Sequence, residues 1–275
     1  MHTHDDHTAV WRLIDTGPLS GVENMAIDEA LLRCFDPASS RPVLRLYGWQ
    51  PAALSLGRFQ KAADDLDLER CRADQLSVVR RITGGGAIYH RDELTYSIIC
   101  SPQQIPPAAS VKDSFRVLTS FLLGVYRAFG LQADYAVDLA PAGSRLGERT
   151  PLCFAGTESY DIMVNGRKLG GNAQRRSRGV IFQHGSIPLH NRVQQGLQYL
   201  KAKPLGVEQS STCLVDQGIA ADYDQLKQSL VAQFQAQLGA TLQAGDLTTA
   251  ERSLSRSLAA GKYGEDRWNL EGDEP

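Results

Sequence analysis

No run within the 275 residues is long and apolar enough to span a bilayer, and the opening MHTHDDH has neither the basic nor the apolar stretch of a secretory signal. These absences lead us to expect a cytoplasmic protein. Cysteine is sparse as well. The five cysteines, at 34, 71, 100, 153 and 213, are odd in number, widely scattered and without a CxxC pair, so neither a disulfide framework nor a cysteine-rich metal site is expected. Excess charge is missing too: 29 Lys and Arg against 31 Asp and Glu leave a net charge of −2, which gives no general attraction to nucleic acid. His2, His4 and His7 invite a metal reading, but a metal site needs preorganised ligands and chain ends are mobile, so residues 1–9 read as a disordered tail. There is no internal repeat and no low-complexity tract.

What is present is an ordinary globular composition, 42% hydrophobic and 22% charged, with ample chain for a buried core. Trp11 to Asp15 reads as a short strand ending at Gly17-Pro18. Ser20 to Glu23 is a capping box, and the spacing after it predicts a helix over 21–34. Strands are expected over 42–49, 53–56, 77–82, 87–90 and 94–100, with a short helix over 64–73 that carries Cys71 into the core. A helix starting at Ser110 presents Phe115, Leu118, Leu122, Val125 and Phe129 as one apolar stripe, read as core. Helices are also predicted over 191–201, 221–238 and 248–260.

The chemistry concentrates in residues 151–189. Tyr160 to Val164 alternates, Asn165-Gly166 supplies the two positive-φ residues of a type I′ turn, and Arg167-Lys168-Leu169 starts the return strand. Lys168 thus lies just past a tight turn, on a strand running into Gly170-Gly171, where missing Cβ atoms let a ligand come close. Cys153 lies upstream, behind a loop over 140–149 that would suit a lid. A thiolate is the reactive form of cysteine and a nearby ammonium favours it. The residues alone leave Cys153 open between this role and a buried structural thiol, and Lys168 between partner and surface charge. Elsewhere, Arg80 and Arg81 precede Thr83-Gly84-Gly85-Gly86, a loop whose bare N–H groups and flanking guanidiniums could hold a carboxylate or phosphate. It is neither a Walker loop nor a GxGxxG turn. His184 reads as a hydrogen-bonded core histidine.

Several of these pieces together resemble the lipoate and biotin protein ligase superfamily, and within it the cysteine-dependent octanoyltransferases. The resemblance rests on Asn24 to Ala30, Leu56 to Gln60, Arg80 to His90, Glu93 to Ser97, Gly166 to Gln174 and Gln183 to Ser186, which occur in family order. It implies an α+β fold: a large mixed sheet with helices mainly on one side, a smaller sheet, a catalytic domain over 10–215 and a helical extension over 216–275. It also implies Cys153 as nucleophile with Lys168 beside it. The substrate site it implies takes in Arg58, Arg81, Thr83, Gly84, Gly85, Gly86, Tyr89, His90, Gly170, Gly171, Asn172, Ala173, Gln183, His184 and Gly185, with no metal ligand. Acyl carrier protein would be the octanoyl donor, docking on Arg167, Arg175, Arg176 and Arg178 unless these are simply a solvated face. A lipoyl domain of a 2-oxoacid dehydrogenase, or the glycine-cleavage H protein, would be the acceptor. On this reading no cofactor is required, and a monomer is the default expectation. Cys153, the spacing from His90 to Tyr96, and a tail with Lys262-Tyr263 and Trp268, too short for the ligases' accessory domain, are similar to the transferases. Gly84-Gly85-Gly86 is more like the lipoate ligases, which would use ATP and Mg²⁺. A non-catalytic binder of lipoyl domains or acyl groups is the third reading.

Overall fold

The computed structural model describes residues 9–141, 158–220 and 222–274; Cys153, the three N-terminal histidines and residues 142–149 of the expected lid lie outside them. Along the chain come β1 (Val10–Leu19), α1 (Gly21–Cys34), β2 (Val43–Trp49), β3 (Ala53–Leu56), α2 (Ala62–Asp65), α3 (Leu68–Ala73) and β4 (Ser77–Arg80). Then follow β5 (Ile88–His90), β6 (Glu93–Cys100), α4 (Val111–Ala128), β7 (Ala133–Tyr135), α5 (Ala136–Leu139), β8 (Ile162–Val164) and β9 (Arg167–Leu169). The rest are β10 (Gly171–Ser177), β11 (Val180–Pro188), α6 (Val193–Leu197), α7 (Val207–Ser210), β12 (Ser211–Thr212), α8 (Tyr223–Leu238), β13 (Thr241–Ala244) and α9 (Thr249–Leu258).

Local signals set several of these bounds. Ser20 caps α1 through the Glu23 N–H while the Glu23 carboxylate accepts from the Ser20 N–H, and Thr248 with Glu251 does the same for α9. Asn165 and Gly166 both adopt positive φ between β8 and β9, as the turn requires. The expected helix over 64–73 breaks instead into α2 and α3. Asp67 turns its side chain onto the Arg70 N–H as a new cap, and Leu66 bridges to Leu200. The helix expected over 191–201 is reduced to α6.

The large sheet is mixed, in the order β10-β11-β6-β2-β1-β13, with β1 parallel to both β2 and β13 and the other pairs antiparallel. Every residue of β6 is buried, so both faces of this sheet need cover. Leu94, Tyr96 and Ile98 pack with Leu118, Phe121 and Leu122 of α4 and Leu226, Leu230 and Phe234 of α8. Ile99, Val43 and Tyr47 face the other way, against Met25, Ala26 and Ala30 of α1 and Leu258 of α9. Helices expected mainly on one side therefore cover both, because β2 and β6 carry apolar residues at successive positions. The residues after 215, expected as a helical extension, also supply the edge strand β13. Two smaller sheets stand where one was expected: β12-β9-β8-β7 and β4-β3-β5.

Two crossings between sheets build the site. At Gly170 the chain leaves β9 of the four-stranded sheet and enters β10 of the large one, with φ of +82° and an absent Cβ that would lie 2.2 Å from the Ser186 carbonyl oxygen. Between β2 and β3 it passes from the large sheet to the three-stranded one. The close approach expected at Gly170 is thus made by the protein's own backbone, not by a ligand.

Candidate active site

A groove of about 960 Å³ opens where the three sheets meet. One wall is the glycine loop. Arg81, 2% exposed, donates from Nη1 to the Ser55 carbonyl at 2.9 Å and from Nη2 to the carbonyls of Gly84 and Gly86 at 2.9 and 3.0 Å. The loop is pinned from beneath. From the other side Gly57 lets it approach so closely that a Cβ there would sit 1.9 Å from the Gly85 carbonyl oxygen. His90 bridges Ser55 Oγ and Glu93 Oε1, each at 2.7 Å, and lies flat on Trp49 with ring centroids 3.8 Å apart. Glu93 also accepts from the hydroxyls of Thr95 and Ser186, both at 2.7 Å. A buried carboxylate with this many donors loses little on leaving water.

The opposite wall comes from the β8–β9 hairpin and β10. Lys168 Nζ meets Asp161 Oδ2 at 2.7 Å, and the two side chains are 2% and 5% exposed. Burial pushes the Asp161 carboxyl above the usual range for an aspartate, against the pull of the Lys168 charge. His184 lies across the groove with Nε2 2.7 Å from Thr83 Oγ1. Burial, reinforced by the charges of Arg81 and His90, drives its pKa well below the ordinary histidine value, so the ring is a neutral imidazole. The floor is apolar: Met25 from α1, Tyr47 and Trp49 from β2, and Ile88 from β5. Tyr47 turns its hydroxyl away, donating to Asp28 at 2.9 Å, so that its ring faces the groove. Such a site fits a flexible apolar chain ending in a polar carbonyl group near Lys168.

The lipoyl protein ligase A/B catalytic domain model matches residues 20–243. The chain belongs to that family. Proteins similar to it include the octanoyltransferase LipM of Anoxybacillus flavithermus, 36% identical with 95% of this chain and 98% of that one covered. The octanoyltransferase LipM of Bacillus subtilis is 34% identical, with 94% and 97% covered. Among solved structures, protein Ta0514 of T. acidophilum with bound lipoic acid superposes with a TM-score of 0.79 at 25% identity, covering 95% of this chain and 99% of that one. A lipoate-protein ligase A bound with ATP has the same fold, at a TM-score of 0.80 and 24% identity over 96% and 98%.

In this lipoyl protein ligase A/B domain, the expected site residues divide. Arg81, Gly84, Gly85, Gly86, His90, Lys168, Gly171, Asn172, Ala173, His184 and Gly185 line the groove. Thr83 and Gln183 lie beneath it, Thr83 on His184 and Gln183 on the Leu118 carbonyl and Gln174. Tyr89 stacks on Tyr199 outside the groove. Arg58 leans over Trp268 and pairs with Glu274 at 3.0 Å. Arg80, expected beside Arg81 as an anion binder, is filled by main-chain carbonyls: those of Gly57, Arg58 and Gln60 on one side, Trp268 and Leu270 on the other. It ties the tail to the loop after β3. Asp161, Tyr47, Trp49 and Glu93 were not singled out. A carboxylate seven positions before a lysine gives no sign that the hairpin will bring them together, although the Asn-Gly turn fixes the register that does so. Phe115, expected as core, sits at the groove's edge.

Proposed function

We propose that the protein is an octanoyltransferase that carries an octanoyl group from acyl carrier protein to a lysine of a lipoyl domain or of glycine-cleavage H protein. It is an acyltransferase. The observation that carries this reading is the similarity to octanoyltransferases over 95% of the chain at 36% identity. Cys153 attacks the donor thioester, the C–S bond to the carrier breaks, and the octanoyl group rests on Cys153. Lys168, charged and facing the groove, favours the thiolate and donates to the thioester carbonyl oxygen. The apolar floor at Met25, Tyr47, Trp49 and Ile88 takes the chain. The acceptor lysine then attacks, a C–N bond forms, and Cys153 leaves. Thioester to thioester to amide runs downhill, so neither ATP nor metal is required, and the kinetics are ping-pong. Both partners are soluble carriers, which fits a cytoplasmic location. Arg175 and Arg176 are partly engaged, with the Ile82 carbonyl and with Ser114, leaving exposed Arg178 as the simplest carrier contact of the basic cluster.

Gly84-Gly85-Gly86, which is similar to the ligases, supports a second reading in which ATP activates free octanoate or lipoate. One assay separates the two. An apo lipoyl domain is incubated with the protein and octanoyl-acyl carrier protein without ATP, and its mass is followed. A gain of one octanoyl group is expected. Modification only with free acid, ATP and Mg²⁺ would replace this function with the ligase one.

A further inference from the structure

We propose that Arg80 is a positioning residue for the acyl donor, and that residues 262–272 act through it to set the wall of the groove formed by Phe59, Gln60 and Lys61. The inference rests on the acyl-binding role proposed above for the groove, and adds to it a segment outside the groove's lining. Arg80 is fully buried. Its guanidinium is one rigid plane, so the direction of some of its N–H groups fixes the direction of the rest. Nε donates to the Trp268 carbonyl at 2.9 Å and Nη2 to the Leu270 carbonyl at 3.0 Å. Nη1 reaches the carbonyls of Gly57, Arg58 and Gln60 at 3.1, 3.1 and 2.6 Å. The tail therefore orients the plane, and the plane holds the loop. The Arg80 main chain is gripped as well, its N–H donating to Asn269 Oδ1 at 3.0 Å and its carbonyl accepting the Trp268 indole N–H at 3.1 Å.

The tail is in turn fixed to α1. Lys262 Nζ donates to Glu29 Oε1 at 3.0 Å, the Tyr263 hydroxyl donates to Glu29 Oε2, and Asn269 Nδ2 donates to the Tyr263 carbonyl at 2.7 Å. Glu29 stands one helical turn beyond Met25, which lies in the groove floor, and Met25 and Trp268 share one buried apolar cluster. The cations of Arg58 and Lys262 lie over the Trp268 ring, 4.5 and 3.8 Å from its centroid. Residues 262–272 thus join the floor of the groove to its wall. The loop has ties of its own: the Arg58 N–H donates to the Thr83 carbonyl at 2.8 Å, and the Gln60 side chain meets the Gly57 N–H and Asp65, each at 2.9 Å. Those ties fix it to the glycine loop, to itself and to α2. Arg80 and the tail set it relative to α1.

The test compares the wild type with Arg80→Lys, Trp268→Phe and Asn269→Ala, and with Leu230→Ala on α8, across the large sheet, as a destabilised control remote from the loop. Well below the lowest melting temperature, KM for octanoyl-acyl carrier protein rises by about 10-fold in Arg80→Lys and about 3-fold in the two tail variants, with kcat kept within about twofold. A shortage of folded enzyme lowers kcat and leaves KM alone, which is the result expected of Leu230→Ala. Amide hydrogen exchange over 57–61, read in parallel, needs no substrate; it quickens in the three site variants and not in the control. An unmoved KM in folded variants overturns the inference even where exchange quickens, because the tail is then a brace and nothing more. Unmoved exchange overturns it too. Trp268→Phe and Asn269→Ala keep the test decisive should Arg80→Lys fail to fold. If the wild type uses octanoate and ATP and no thioester donor, the proposed function falls alone, and KM for octanoate decides the inference.

Discussion

On the glycine-loop wall, Arg81 spends its N–H groups on Ser55, Gly84 and Gly86, and Glu93 is saturated by His90, Thr95 and Ser186. On the hairpin wall, Lys168 and Asp161 confront each other directly, and both face the groove. Both walls are buried and polar, yet they are suited to different work. A charge distributed over main-chain carbonyls holds a shape, and little of it is left for a substrate. A single ion pair is costly to bury and repays that cost only in good geometry, so its presence at a groove surface points to chemistry more than to stability. In the proposed mechanism the glycine wall shapes the site and the hairpin wall acts in it.

Substitutions sharpen the contrast. Lys168→Met should have the largest effect, with kcat/KM down about 10³-fold and a loss of roughly 3–5 kcal/mol as Asp161 is left buried and unpaired. Steady-state kinetics and urea unfolding check the two parts. Arg81→Met strips donors from the carbonyls of Ser55, Gly84 and Gly86 and from the Ser55 hydroxyl, so about 2–4 kcal/mol of stability is lost. Its kinetic signature should be a raised KM with kcat nearly kept, because the loop is displaced while the reacting groups are not; an equal fall in kcat would erase the distinction between the walls. Gly57→Ala pushes a Cβ against the Gly85 carbonyl and should cost about 1–3 kcal/mol, again with the defect in KM. The smallest effect is one of pH. His184 has its folded pKa depressed, so the unfolded chain binds the extra proton first; its stabilising contribution is complete above the unfolded value of about 6.5 and is lost as pH falls from there toward the folded one. Comparing urea midpoints at neutral and mildly acid pH, His184→Gln should show a smaller decline than the wild type.

The difference between the walls also marks what sequence could reveal. Turn and cap chemistry is local, so the Asn165-Gly166 hairpin, the Ser20 and Thr248 caps and most strands are legible from neighbours in the chain. The glycine loop and Lys168 are legible because their residue types are unusual in such settings. Arg80 and Arg81 look alike in sequence and differ only in what surrounds them, one enclosed by carbonyls of the tail and the loop after β3, the other at the groove. Asp161 is an ordinary aspartate until the hairpin closes. Cover on both faces of the large sheet was missed because Leu94 to Ile98 alternates apolar and polar residues, which reads as a one-sided strand, whereas Thr95 and Ser97 are buried through hydrogen bonds to Glu93 and Asp28. The family resemblance names Cys153, which lies outside the described residues, so its role is proposed from similarity.

That role is tested most directly by intact-mass spectrometry of the protein mixed with octanoyl-acyl carrier protein in the absence of ATP. The account predicts a single hydroxylamine-sensitive octanoyl adduct on the wild type and on Arg81→Met, much slower on Lys168→Met and absent from Cys153→Ala. No adduct on the wild type, or an undiminished adduct on Cys153→Ala, would contradict it.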